Sequence, residues 1–262
     1  DINIMKRNHS WGTDIYYQMG AKKLLHPTYV QRIGSSKSVN SITKSLMIKQ
    51  LDNRSFSFSN DAYDTIQDRI FEYTGDWDAT DWCKNKNLLI VASGSSIQSH
   101  TTYIKKYIEK FVPTVLALGV ELEDKYIDNY VIISKEKFNK CRHIFTSTNK
   151  IIITPKGLLE KEEVMLLNSD SINHYGLRIL SDQIDITKTS SILPSNNSLA
   201  YALALSIIGC AKTVRVVGAD GLSTDSYTNY EVNNFFNLLY QNYPDFEVKS
   251  LTPTIFNMES IY

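Results

Sequence analysis

An apolar run that stops at a small polar turn, residues 88–92 followed by Ser93-Gly94-Ser95-Ser96, constrains the fold of this chain more than any other stretch. Consecutive apolar residues are typical of a parallel strand buried on both faces, and the helical pattern that follows indicates that the turn leads into a helix N-terminus. Such a turn lets a ligand approach the backbone, and the helix offers N–H groups to an anion. The turn lacks the later glycines of the dinucleotide fingerprint and the Gly-Lys-Ser/Thr of a P-loop, so a purely structural role stays open.

From Lys86 onward, strand and helix patterns alternate. A helix is predicted over residues 97–111, Pro113 ends it, and residues 114–118 form the second predicted strand. The polar stretch 168–194 is interpreted as a loop or lid. Further short strands are predicted at residues 131–134, 151–154, 176–180, 213–217 and 246–251. This order predicts an α/β fold with a Rossmann-like, mostly parallel sheet and helices on both faces.

A second stretch, Ser195-Asn196-Asn197-Ser198, repeats the design of the first turn. Its polar residues can cap the almost wholly apolar helix that follows and stops at Gly209, and the next strand ends in Gly218-Ala219-Asp220-Gly221. An apolar helix must be buried, so its first residues are expected at the sheet edge where open α/β folds bind ligands. A polar loop bearing Tyr227 and Tyr230 comes next, before a helix predicted from about Glu231.

The remaining sequence bounds the domains and excludes several classes of function. Residues 1 to about 80 show no alternating strand pattern and predict a small helical subdomain before the Rossmann-like domain at 86–262. Twenty-eight basic and 28 acidic residues balance, which disfavours a nucleic-acid groove. Three widely spaced cysteines favour a reducing cytoplasm over a disulfide framework or a zinc site. Neither a membrane span nor a signal peptide is recognisable.

The two turns and the tyrosine loop, taken in chain order, resemble the sialyltransferase-like glycosyltransferases of bacteria, including the group that adds nonulosonic acids to flagellin. In that family the first strand ends in Gly-Asn-Gly-Pro-Ser, where this chain has Ala92-Ser93-Gly94-Ser95-Ser96, with Ser93 and Ser95 as departures. The family's Thr-Ser-Gly turn and Gly-Ile-Asp strand end are similar to Ser195-Asn196-Asn197 and Gly218-Ala219-Asp220. Its nucleotide-reading Asn after the second strand is replaced by Leu118-Gly119. The resemblance covers roughly residues 86–252.

This resemblance implies a glycosyltransferase that uses a CMP-activated keto-acid sugar, sialic-acid-like or related, to modify a surface glycan without a metal or other cofactor. Tyr227 and Tyr230 would donate to the donor phosphate. Because the family's His after the tyrosine loop is missing, Asp220 or His174 would accept the proton of the acceptor hydroxyl. The implied nucleotide contacts are Ser93, Gly94, Ser95, Ser96, Gly119, Ser195, Asn196, Asn197, Ser198 and Gly218.

The N-terminal residues carry a second likeness. Trp11-Gly12, Tyr16-Tyr17 and His26-Pro27-Thr28-Tyr29 resemble the segment just after the barrel in bacterial proteins that begin with a pyruvate-aldolase-like TIM barrel and end in a Rossmann-like domain. Those proteins also close on segments similar to Thr252-Pro253-Thr254 and Ser260-Ile261-Tyr262. The likeness implies that residues 1–80 link this domain to an upstream aldolase-like domain of the same protein.

Two other functions stay open beside the transferase. One is a non-catalytic nucleotide-binding or regulatory domain attached to the aldolase, which binds a nucleotide without turnover. The other is a pterin-type diphosphokinase-like enzyme, although the sequence near Ser93 carries no cluster of carboxylates for Mg²⁺. The sugar, the acceptor and the oligomeric state are left open by the sequence.

Overall fold

The computed structural model of the chain describes residues 74–167, 171–180, 183–221 and 227–261, without the side chains of Tyr227 and Thr228. The chain divides into two compact units, Asp1–Ile70 and Phe71–Tyr262. The predicted helical subdomain up to residue 73, with its Trp11 and His26 motifs, lies outside the described residues. The fold below is that of the second unit.

Short β-branched and apolar runs form the strands. They are β1 (Asn87–Val91), β2 (Thr114–Ala117), β3 (Asn129–Val131), β4 (Ile151–Thr154), β5 (Ile172–His174), β6 (Gly176–Ile179), β7 (Asp185–Ile186), β8 (Ser190–Leu193), β9 (Thr213–Val217), β10 (Val248–Ser250) and β11 (Glu259–Ser260). Eight of them form one sheet in the order β11-β10-β9-β1-β2-β3-β4-β5, and every pairing in it is parallel. The predicted Rossmann-like, mostly parallel sheet is confirmed.

Helices cover both faces of this sheet. They are α1 (Ser96–Phe111), α2 (Lys135–Phe145), α3 (Lys161–Val164), α4 (Ser198–Ile208) and α5 (Tyr227–Asn242). Leu88 and Ile90 belong to the core that α4 and α5 cover, whereas on the opposite face the ring of Tyr130 packs against Phe145 of α2, with centroids 5.4 Å apart. Alternate residues of the central strands are therefore buried on opposite faces, which explains why β1, β2 and β4 are mostly apolar.

The apolar helix predicted after Ser195 is α4. All eight residues 199–206 are buried, so the helix has no polar face, and it packs against β1 and β8. The C-terminal end of α4 lies beside the residues that precede β1, because Trp82 Nε1 donates to Leu205 O and Cys83 N donates to Gly209 O. The helix therefore runs antiparallel to β1 and β9, and its first residues lie towards the carboxyl ends of the strands. In the part of the chain that the structure describes, neither this helix nor any other is long and apolar enough to cross a bilayer.

Residues 171–180 and 183–194, interpreted above as a loop or lid, are built into the fold. They contribute β5 to the main sheet and form a second sheet in the order β6-β8-β7. The side chains of Tyr175, Leu177, Ile179 and Leu193 are fully or almost fully buried in the same core as α4. The interpretation as an open lid is wrong because these alternating apolar side chains need a partner surface, and the core supplies it.

Candidate functional site

The topological switch point of the main sheet lies between β1 and β9. From β1 the chain proceeds to β2, β3, β4 and β5 on one side, and from β9 it proceeds to β10 and β11 on the other. Ligands of open α/β sheets bind at the carboxyl ends of the strands at such a point. Two turns leave the strands here: the β1 turn, residues 92–96, and the β9 turn, residues 218–221.

Backbone hydrogen bonds join the two turns closely. Ala92 N donates to Val217 O at 2.9 Å, and Gly94 N donates to Gly218 O at 2.7 Å. A Cβ at position 94 would lie 2.3 Å from that carbonyl oxygen, so only glycine fits there. Gly218 has φ +72°, a left-handed conformation that side chains disfavour. The contact between the two turns therefore explains why Gly94 and Gly218, both predicted nucleotide contacts, are glycines.

The carboxylate of Asp220 is bound at the N-terminus of α1. Its Oδ2 accepts from Ser96 N at 2.7 Å and from Ser95 Oγ at 3.1 Å, and its Oδ1 accepts from Ser96 Oγ. Hydrogen bonds to an ionised acceptor are stronger than neutral ones, and the helix dipole favours a negative charge at this end. Asp220 therefore holds the position that an anionic ligand would take at the β1 turn.

Two threonines brace the β9 turn from the segment after β10. Gly218 N donates to Thr252 Oγ1 at 2.9 Å, and Thr252 is fully buried. Thr254 Oγ1 donates to Ala219 O at 2.6 Å. In the sequence these threonines carry only a likeness at the chain's end. No local pattern indicates their structural role, because Thr252 bonds to a residue 34 positions away and Thr254 to one 35 positions away.

The N-terminus of α4 differs from that of α1. Asn197 caps it, because its Oδ1 accepts from Leu199 N at 2.8 Å and from Ala200 N at 3.3 Å. The two residues before the cap are not satisfied. Ser195 is 2% exposed, and neither its Oγ nor the buried Oδ1 of Asn196 has a hydrogen-bond partner. A buried polar atom left without a partner costs about 1–3 kcal/mol, which a ligand can recover.

The two predicted phosphate-binding tyrosines lie on a helix. Helix α5 begins at Tyr227, four residues before the predicted start, and includes Tyr230 in its first turn. The prediction that both tyrosines lie in a loop is therefore wrong. The side chain of Tyr230 is 67% exposed. A phosphate-binding role for the tyrosines stays a prediction.

The two predicted proton acceptors lie far apart. His174 ends β5 at one margin of the sheet, five strand spacings from β9, which places it about 24 Å from the β9 turn at about 4.8 Å per spacing. Its Nδ1 is buried without a partner, as is Oγ1 of its register neighbour Thr154. The structure brings Asp220 together with Ser95, Ser96 and Gly218, and it does not bring His174 to them.

One basic residue near the carboxyl ends of β2 and β3 was not predicted from the sequence. Lys137 lies in the first turn of α2, where burial lowers the pKa of its ammonium group and Glu121 partly offsets that effect. Gly119, the predicted nucleotide contact after β2, is buried near the same Glu121, whose carboxylate a Cβ at position 119 would strike. A lone lysine in a charged helix gives no signal in the sequence.

Two concave surfaces of the described residues lie away from the predicted site. One concavity of about 540 Å³ is lined by Arg142, His143 and Leu166, among others, and one of about 370 Å³ by Cys210, Tyr243 and Phe246, among others. Neither includes a predicted site residue. Within residues 74–167, 171–180, 183–221 and 227–261, no three His, Cys, Asp or Glu side chains converge as metal ligands would.

No protein-family model matches this chain, and no curated protein matches it. A solved glycosyltransferase structure is similar. It is the structure of MAf glycosyltransferase from Magnetospirillum magneticum, at 11% sequence identity and a TM-score of 0.49. The match covers 74% of this chain and 36% of that one, so the chain spans about a third of the length of that protein. A similarity of this size leaves the activity to be argued from the site.

Proposed function

We propose that this domain binds a nucleotide-activated sugar at the carboxyl edge of its sheet and transfers the sugar to a hydroxyl group in the cytoplasm. The donor proposed is a CMP-activated keto-acid sugar, and the acceptor is a surface glycan or its precursor. One observation carries the proposal: Ser195 and Asn196, directly before the N-terminus of α4, hold buried polar atoms that have no partner in the protein.

The chemistry of these two atoms matches a nucleotide. The Ser195 hydroxyl can donate to a phosphate oxygen, and the N-terminus of α4 favours the same negative charge. The Asn196 Oδ1 is an acceptor, so it suits a ribose hydroxyl or the exocyclic amine of cytosine. A donor and an acceptor beside one helix N-terminus therefore fit a ligand that carries both a phosphate and hydrogen-bond donors.

In the transfer, the acceptor oxygen attacks the anomeric carbon, the bond from that carbon to the CMP phosphate oxygen breaks, and the hydroxyl proton passes to the departing phosphate or to water. Negative charge grows on the departing phosphate, and donors already oriented by the fold stabilise it without reorganisation. We assign this task to the Ser195 hydroxyl and the α4 N-terminus, with the hydroxyls of Tyr227 and Tyr230 as further donors. Neither a metal nor another cofactor is part of the proposal.

Thermal-shift measurements with CMP, CDP, UDP, ATP and NAD test the binding. We expect a selective rise of Tm with CMP. Ser195→Ala and Asn196→Ala should each weaken CMP binding about tenfold, which corresponds to about 1.4 kcal/mol. Ser206→Ala, the same change deeper in α4, is the matched control and should leave the affinity unchanged. Stabilisation by none of the five nucleotides would overturn the proposal.

A non-catalytic nucleotide-binding domain, attached to an upstream aldolase-like domain, is the second candidate. One observation favours it: Asp220, the predicted base at the switch point, already accepts three hydrogen bonds from the β1 turn. Release of CMP from a CMP-keto-acid sugar in the presence of glycan acceptors separates the two. Turnover that falls in Tyr227→Phe at unchanged Tm supports the transferase, and tight CMP binding without turnover supports the binding domain.

A further inference from the structure

The switch point of this sheet carries its own anion. The carboxylate of Asp220 uses the first amide of α1, from Ser96, and the hydroxyls of both Ser95 and Ser96. In folds that hold a pyrophosphate at the first strand-to-helix turn, these are the groups that would face the phosphate. Here the donors are already used, and a carboxylate charge stands where the phosphate charge would come.

We propose that Asp220 is a specificity-determining residue, whose carboxylate excludes phosphate groups from the β1 turn and so directs the phosphate of the ligand to the N-terminus of α4. This inference deepens the proposed function and rests on it for the second half of the statement. It assigns no proton transfer to Asp220. It also explains why the turn has serines where the dinucleotide fingerprint has glycines: the hydroxyls of Ser95 and Ser96 donate to Asp220.

The position of the carboxylate depends on long-range contacts and not on the turn alone. Asp220 and Ser96 are 124 residues apart in the chain. The β9 turn is held by Gly94 N, which donates to Gly218 O, and by Thr252 and Thr254. A Cβ at position 94 would lie 2.6 Å from Cγ of Asp220, so the turn is shaped around this carboxylate. An incoming phosphate would have to displace a braced side chain.

Inorganic pyrophosphate is the probe that tests the inference on the full chain. In isothermal titration calorimetry, wild-type protein should show no saturable pyrophosphate binding that depends on Ser96, and any binding at the α4 N-terminus should be lost in Ser195→Ala and not in Ser96→Ala. Asp220→Asn, which removes the charge but keeps the volume, should gain measurable binding, and Asp220→Ser, which also opens space, should bind at least tenfold more tightly than Asp220→Asn. Asp245→Asn, at an exposed residue between α5 and β10, makes the same charge change at the opposite edge of the sheet and should gain nothing.

Circular dichroism spectra must first show that each variant is folded. If Asp220→Ser unfolds, Asp220→Asn alone decides, because it retains an acceptor for Ser96 N. No gain of pyrophosphate binding in either folded variant would overturn the inference, and so would pyrophosphate binding by wild type that Ser96→Ala abolishes.

CMP is titrated in parallel to separate the inference from the proposed function. If wild type binds CMP and the Asp220 variants gain no pyrophosphate binding, the proposed function stands and the inference is overturned. If the Asp220 variants gain pyrophosphate binding and wild type does not bind CMP, the exclusion of phosphate by Asp220 stands and the proposed function is overturned.

Discussion

Two helix N-termini at the same edge of the sheet look alike in sequence and differ in the structure. At α1, the turn Ser93-Gly94-Ser95-Ser96 is closed, because Asp220 accepts its hydrogen bonds and Gly218 contacts its backbone. At α4, Asn197 satisfies the helix itself, whereas Ser195 and the Oδ1 of Asn196 are left without partners. The difference teaches that a small-residue turn before a helix becomes a ligand site only where the rest of the protein does not satisfy it.

The largest expected effect comes from breaking the closed turn with Gly94→Ala. The added Cβ would lie 2.3 Å from Gly218 O, a backbone atom that cannot move away cheaply, and 2.6 Å from Cγ of Asp220. We expect a loss of about 3 kcal/mol in the free energy of unfolding, measured by urea denaturation. Ser93→Ala, at the exposed neighbouring position, is the control and should change stability little. Equal midpoints for both variants would show that the two turns are not in contact.

The brace behind the closed turn is tested by Thr252→Val. This change keeps the volume and removes the acceptor of the Gly218 amide, which is left buried and unpaired. The expected loss is about 2 kcal/mol in the free energy of unfolding. Thr146→Val removes an exposed hydroxyl that bonds only to its own helix, and it should cost less than about 0.5 kcal/mol. Similar losses in both variants would contradict the role of Thr252.

At the open N-terminus, Asn197→Ala and Asn196→Ala separate capping from ligand binding. Only Asn197 accepts from the amides of Leu199 and Ala200, so its replacement should cost about 1 kcal/mol of stability. Asn196→Ala, which removes an acceptor without a partner, should not lower the stability of the unliganded protein. Thermal unfolding of both variants without ligand makes the comparison, and the reverse order of stabilities would move the cap to Asn196.

The smallest effect is expected for Ser195→Ala in the absence of ligand. Its buried hydroxyl has no partner, so removing it relieves a desolvation cost, and after the small loss of packing it should raise the free energy of unfolding by about 1 kcal/mol or less. Chemical denaturation at neutral pH gives the value. A loss of 1 kcal/mol or more would mean that the hydroxyl is bonded within the protein, and the α4 end would then be as closed as the α1 end.

Much of the fold was predictable because burial on both faces marks the central strands. The run at Leu88 and the apolar helix after Ser198 show no polar alternation, and the run at Thr213 is rich in β-branched residues. All three segments were assigned to a parallel α/β fold, which the structure has. Within residues 171–180 and 183–194, only the strand at 176–180 was predicted, and the rest was interpreted as a loop or lid because its strands are two to four residues long and show no recognisable period. Helix α5 starts earlier than predicted because Tyr, Thr and Asn are weak helix formers, so residues 227–230 carry no local helix signal.

The sequence by itself determined the central strands, their parallel pairing, and therefore that Ser93 to Ser96, Ser195 to Ser198 and Gly218 to Asp220 stand at one edge of the sheet. Only the tertiary structure decided which of these turns can receive a ligand. The physical reason is that hydrogen bonds between residues more than a hundred positions apart, such as that from Ser96 to Asp220, leave no trace in a local pattern. A polar residue whose hydrogen bonds are satisfied therefore looks the same in the sequence as one whose hydrogen bonds are not.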